Sequence, residues 1–285
     1  MPMVLELLDG LLTGLIYILA AFALFYAGKW VHDFIHTEFS LPEELFVKDN
    51  PAMALSVVGY YAGLTLAIGG ALTGPSRGLW RDLLDILLFG GLGVVLLNIS
   101  WYVCDLFILR GFRASVEILR DRNQGAGAVA GASMVASGFI LFGSLQGDGG
   151  VFSAIIFWGL GQALLVLASW VYEWITPYSV RQEMEKDNVA VGVAAAGALV
   201  GMGMVVGLAA EGDFVSWGVS LPHYLAYAII GLAMLPAVRW LTDKVLVPGH
   251  CLSHELTGQE TPNMGAAYTE AFAYIAAAAF ISWCV

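Results

Sequence analysis

Eight runs of about 20 apolar residues, separated by short charged or glycine-rich breaks, fix the solvent in which this chain can fold. They fall near residues 8–36, 51–73, 82–110, 124–146, 151–176, 189–210, 217–246 and 264–284. A soluble protein can bury a helix that is apolar all round. A chain of 285 residues cannot bury eight of them in succession. Only 12% of the residues are charged, against roughly 25% in a soluble domain. The nine tryptophans suit aromatic belts at two membrane interfaces. The expected fold class is therefore all-α, a polytopic membrane helix bundle of eight transmembrane helices with the lipid bilayer as its first partner. Glu6 and Asp9 precede Leu11 with no basic region before it, so the first apolar run is expected to persist as a helix rather than act as a cleaved signal.

Charge sets limits on partners and orientation. A net charge of −11 excludes a nucleic-acid role, which needs clustered Lys and Arg, and permits attraction of cations. Lys29, Lys48, Arg110, Arg113, Arg120, Arg122, Arg181, Lys186, Arg239 and Lys244 all lie at or between the ends of odd helices and the starts of even ones. Only Arg77 and Arg81 lie on the other side. The positive-inside rule then places the odd-to-even loops in the cytoplasm and both termini outside it. Cys104, Cys251 and Cys284 are scattered and odd in number, so they imply no disulfide framework.

The chain also repeats itself. Leu109–Ile118, LRGFRASVEI, matches Val247–Leu256, VPGHCLSHEL, with Gly111 on Gly249, Ser115 on Ser253 and Glu117 on Glu255. Trp30–Ile35, WVHDFI, matches Trp170–Ile175, WVYEWI, and Lys48-Asp49-Asn50 matches Lys186-Asp187-Asn188. Residues 1–147 and 148–285 thus read as two homologous halves of four helices, joined in the Gly147–Gly150 stretch. A two-helix repeat lies beneath. Each odd helix carries an aromatic and then an acid: Trp30/Asp33, Tyr102/Asp105, Trp170/Glu173 and Trp240/Asp243. Each following loop carries Glu44, Glu117, Glu183 or Glu255, and each even helix opens at Asn50, Asn123, Asn188 or Asn263. Asparagine is a good N-cap, because its side-chain oxygen accepts from the free backbone N–H groups of the first turn. Four units entering from one side are parallel repeats, with pseudo-fourfold character about an axis along the membrane normal.

This unit of Glu, then Asp-Asn, then a Gly/Ala-rich helix resembles the YjfL-like family of bacterial inner-membrane proteins (domain of unknown function 350). The resemblance covers essentially the whole chain as two tandem copies. Arg122-Asn123 and Pro262-Asn263 depart from the Asp-Asn opening. The resemblance implies a bacterial plasma membrane and carries no settled activity.

Acids within apolar runs are costly in a membrane and point to function. Asp33, Asp105, Glu173 and Asp243, at one depth around an axis, make a cation-attracting ring conceivable. A structural reading stands beside this one: Lys29 with Asp33, and Arg239 with Asp243, are i,i+4 pairs, whereas Asp105 and Glu173 have no basic residue one turn away. The loop glutamates fit either a vestibule for cations or a structural role in which each reaches back to a helix amino terminus. His250, Cys251 and His254, like His32 and His36, have the residue types of a metal site but are not built into the repeat, so no metal and no cofactor are expected. His223 and Glu270 read as packing partners. No nucleophile–base pair, phosphate loop or HExxH motif occurs, so no enzyme is expected. The preferred reading is passage or sensing of a small cation, as a monomer or homodimer. The alternative is a non-conducting scaffold whose cytoplasmic loops dock a soluble partner. A dry Gly/Ala interior would favour the scaffold, and water inside would favour transport.

Overall fold

A computed structural model describes residues 2–110 and 114–284, with side chains from 7 to 110 and from 116 to 284. Gly111 and the side chain of Ser115, which carry part of the sequence repeat, and Arg113, one of the basic residues behind the expected orientation, lie outside the described residues.

The protein is all-helical, in the order α1 (Pro2–Ile35), α2 (Pro51–Leu72), α3 (Leu79–Val103), α4 (Ala114–Leu119), α5 (Gln124–Leu145), α6 (Gly150–Ile175), α7 (Val180–Glu185), α8 (Val189–Ala209), α9 (Trp217–Leu241), α10 (Leu252–Thr257) and α11 (Met264–Cys284). Among the described residues, eight helices are long and apolar enough to cross a membrane, and α4, α7 and α10 are the short ones between them. Three single π-helical turns complete the list. Cys104–Ile108 ends α3, Thr242–Leu246 ends α9, and Glu43–Val47 lies in the loop after α1. The expected spans are present, whereas sequence reading missed α4, α7, α10 and the π turns. Five or six residues hold too little of a 3.6-residue period to be seen.

The membrane helices form two layers. In one, α2, α5, α8 and α11 stand side by side in that order. In the other, α3 seats against α2 and α5, α6 against α5 and α8, and α9 against α8 and α11, while α1 leans on α2 and α3. The repeat therefore advances sideways. Helices α2 and α11, at the two ends of the row, make no contact comparable to those inside it. In place of the expected pseudo-fourfold arrangement about one axis, the units stand in an open row.

Small residues dictate this arrangement. A Cβ added at Gly59 would overlap the Gly131 backbone, and one at Gly138 would overlap Gly63. The next junction repeats the contact, with Gly203 against Ala136 and Gly192 against Gly125, and the third sets Gly197 against Ala271. Lipid tails are as apolar as leucine, so such helices associate by van der Waals contact and close backbone approach rather than by a hydrophobic force. Counted from the opening asparagine, Gly59, Ala132, Gly197 and Phe272 hold one position, and Gly70, Gly143, Leu208 and Trp283 another. On the receiving side, Gly131, Ala196, Ala271 and Val58 are equivalent. At the two ends of the row these positions are bulky and exposed: Val58 on α2, and Phe272 and Trp283 on α11. Terminal repeats of an array need outer faces that do not invite another unit.

Candidate functional site

The repeated polar residues gather where the even helices begin. Asn50 Oδ1 accepts from the backbone N–H groups of Ala52 and Met53, Asn123 from Ala126, Asn188 from Val191 and Asn263 from Gly265 and Ala266. Each asparagine amide also donates to its own unit's glutamate: Glu44 at 3.2 Å, Glu117 at 3.2 Å, Glu183 at 3.2 Å and Glu255 at 2.9 Å. The backbone carbonyl of that glutamate in turn accepts from the backbone N–H of the asparagine in all four units. The glutamates thus reach back to the helix start through the capping amide rather than through the free N–H groups. The residue before the cap is strained to make this turn: Asp49, Arg122 and Asp187 have φ of 49°, 54° and 61°. In the fourth unit Pro262 stands there, and its ring forbids a positive φ.

The second amide hydrogen leaves the unit. Asn50 Nδ2 donates to the carbonyl of Ile118 at 2.9 Å, Asn123 Nδ2 to Met184 at 2.6 Å, and Asn188 Nδ2 to Leu256 at 2.9 Å. Each acceptor directly follows the next unit's glutamate. Asparagine alone combines, in one short planar group, an acceptor for the cap and two donors for two different partners. These three asparagines are buried, whereas Asn263, in the last described unit, is exposed. Head-to-tail bonds therefore lace α4, α7 and α10 into one continuous platform.

The electrostatics of the four glutamates differ. The Lys48 ammonium, 2.7 Å away, holds the Glu44 carboxyl below its ordinary pKa, against partial burial and with help from Asn50. Asn263 does most to lower that of Glu255. Burial pushes Glu183 up, but Lys186 and Asn188 together outweigh it and leave the pKa lowered. At Glu117 burial wins and the pKa is raised, with only Asn123 opposing it.

The four helix acids are half-buried and spread along the second layer. Asp33 pairs with Lys29 at 2.6 Å. Glu173 accepts from the Ser179 hydroxyl, the N-cap of α7, at 2.8 Å. Asp243 accepts from the Leu252 N–H, at the first residue of α10, at 2.8 Å and from Lys244 at 3.0 Å. In units three and four, then, the acid fastens the short helix to the long one. Asp105 lies in the π turn Cys104–Ile108. One expected pair is corrected. Arg239 bonds Glu270 and Ser253 rather than Asp243, because the π turn Thr242–Leu246 breaks the α register that would set residues four apart on one face. Lys29 and Asp33 sit within unbroken α-helix and do meet.

Three equivalent junctions between units carry different side chains. Directly before the aromatic of each later odd helix stand Trp101, Ser169 and Arg239. At the first junction Trp101 packs on the rings of His32 and His36, at 5.5 and 5.0 Å between centroids, and His32 lies 4.4 Å from the Tyr60 ring. At the third, Arg239 pairs with the fully buried Glu270 at 2.5 Å, beneath the rings of Tyr172 and Tyr178, while the Tyr172 hydroxyl also donates to Glu270. At the second junction Ser169 fills little, and a cleft of about 740 Å³ opens between the halves. The corresponding space at the first junction is about 270 Å³. Sequence reading took Glu270 as a packing partner and missed Arg239, 31 residues away. The one signal in the sequence was a lone acid in an apolar run, which demands a countercharge. Among the described residues no group of three His, Cys, Asp or Glu side chains is placed to hold a metal ion, and His250 Nδ1 lies 3.1 Å from Glu255 instead.

Parallel two-helix units, laced together at one face and packed glycine against backbone across the bilayer, define a multi-pass helical membrane protein built by tandem duplication. The family model described as Domain of Unknown Function (DUF350) matches residues 6–145 and again 148–285. The chain belongs to this family, in two consecutive copies. It is also similar to a UPF0719 transmembrane protein of Aquifex aeolicus (strain VF5), 26% identical over 192 residues, which cover 66% of this chain and 69% of that protein. No solved structure matches.

Proposed function

We propose that this protein is a non-conducting scaffold of the bacterial plasma membrane, with both termini outside the cytoplasm, whose laced platform of short helices docks a soluble cytoplasmic partner. The observation that carries this reading is the backbone-on-backbone packing of α2, α5, α8 and α11, where glycine contacts leave no room even for a methyl group. A conducting path needs a polar, wetted line through the bundle. Here two of the four helix carboxylates, Glu173 and Asp243, instead fasten a long helix to a short one, and Asp33 pairs with Lys29 on its own helix. The orientation follows from the basic residues, since Lys48, Arg110, Arg120, Arg181 and Lys186 share the platform end. The corresponding π turn of the first unit, Glu43–Val47, presents Phe46 and Val47, 84% and 79% exposed. Passage of a small cation is the competing reading. Reconstituted protein is expected to leave proton and potassium permeability of proteoliposomes at the level of protein-free vesicles, and Asp105→Asn and Glu173→Gln to change nothing in that assay. Flux above background that either substitution abolishes would overturn the scaffold in favour of a cation path.

A further inference from the structure

The cleft between the two halves is a vacancy at a position its neighbours fill. Trp101 occupies the equivalent place at the first junction, and Arg239 with its buried carboxylate partner at the third. Ser169 replaces them and turns its hydroxyl onto the Val166 carbonyl at 2.7 Å. The resulting space of about 740 Å³ is within the range of ordinary ligand pockets. Its walls come from α5, α6 and α8 and include Val129, Ala168, Ala198 and Leu199, all buried.

The other lining is charged, and it is balanced. Arg110 and Arg181 supply two guanidinium groups, and Glu173 and Glu185 supply two carboxylates, with Arg181 Nε already donating to Glu185 at 3.0 Å. Arg110 lies over the Trp170 ring at 4.9 Å, which orients its planar fork. Five residues after each helix acid the three junctions carry Glu38, Arg110 and Tyr178, so the cation at this place belongs to the open junction alone. An apolar wall at membrane depth, with paired cations and anions at its charged end, complements an amphipath whose head is a zwitterion.

We propose that this cleft binds one aminophospholipid. Its phosphate lies against Arg110 and Arg181, and its primary ammonium lies against Glu173 and Glu185. Guanidinium matches phosphate in fork geometry, and a primary ammonium carries three hydrogen-bond donors for the carboxylates. A trimethylated head keeps the charge and loses those donors, while a glycerol head loses the charge as well.

The test is lipid retention by the whole purified protein from nanodiscs holding equal parts of phosphatidylethanolamine, phosphatidylcholine and phosphatidylglycerol, read by native mass spectrometry. Phosphatidylethanolamine is expected to be retained about tenfold over each of the others, as one charge-assisted contact of about 1.4 kcal/mol gives. Ser169→Trp, which copies the first junction, should fill the cleft and reduce that retention to the level of phosphatidylcholine. Glu173→Gln keeps the acceptor for Ser179 and should remove the preference over phosphatidylcholine alone, so it decides the matter if the tryptophan variant does not fold. Equal retention of the ethanolamine and choline lipids, a preference for phosphatidylglycerol, or folded variants that bind as the parent does would each overturn the proposal.

Discussion

Asn123 and Asn263 open equivalent helices with the same cap and the same glutamate clasp, yet one is buried in the middle of the row and the other exposed at its end. The difference is a single onward bond, from the Asn123 amide to the Met184 carbonyl. It separates two tasks that one side chain performs: starting its own helix, and holding the neighbouring unit. Inside the row both are at work, and at its end only the first remains. The small-residue faces follow the same division, because Gly63 meets the next helix while its equivalent Ala276 has none to meet.

The largest test of this contrast is steric. Gly63→Leu should cost at least about 3 kcal/mol, since the blocking atoms are the Met134 backbone and cannot move aside as a side chain can. Ala276→Leu should leave the midpoint of thermal unfolding in detergent nearly unchanged. Equal losses at the two sites would mean that the end of the row is not free.

The next test is polar. Asn123→Ala removes the cap, takes one of its donors from the Met184 carbonyl, which keeps the Asp187 N–H, and strands the Glu117 carboxylate, for about 2–3 kcal/mol. Asn263→Ala loses mainly a cap, worth about 1 kcal/mol. A double-mutant cycle pairing Asn123→Ala with Gly131→Ala would report whether lacing and packing act as one unit. Matching costs at the two asparagines would remove the special role of the onward bond.

The smallest effect is in pH. The Glu117 pKa is raised, so its contribution to stability is fully present below the unfolded value and is lost as pH rises through the folded one. Those of Glu44, Glu183 and Glu255 are lowered, so theirs is present above the unfolded value and lost as pH falls through the folded one. Glu117→Gln should therefore raise the unfolding temperature slightly at neutral pH, and Glu44→Gln should lower it, with the two differences shrinking in acid. A fall for Glu117→Gln at neutral pH would contradict the assignment.

Much of this was legible in the sequence. The apolar runs located all eight membrane helices, and the recurrence of Asn50, Asn123, Asn188 and Asn263 marked where four of them begin, because capping is a local property. The onward bonds were not legible, since Asn50 and Ile118 are 68 residues apart and nothing local in either requires the other. The parallel sense of the repeats suggests pseudo-fourfold character but does not decide between a ring and a row. Whether a row closes depends on the faces of its end units, and there the bulk of Val58, Phe272 and Trp283 was the readable and unread signal. Arg239 was assigned to Asp243 by helical spacing, which holds only while the helix stays α.

The direction of the lacing has a consequence for biosynthesis. Each onward bond from an asparagine amide runs toward a carbonyl that the ribosome has not yet made, so each of the first three units enters the membrane with a polar hydrogen awaiting its successor. A chain halted after residue 147 holds Asn123 with its Met184 acceptor still untranslated, whereas residues 148–285 already contain the acceptor that Asn188 needs. Expressed alone, the first half would keep one buried donor open, at Asn123, whereas the second half would satisfy Asn188 from within.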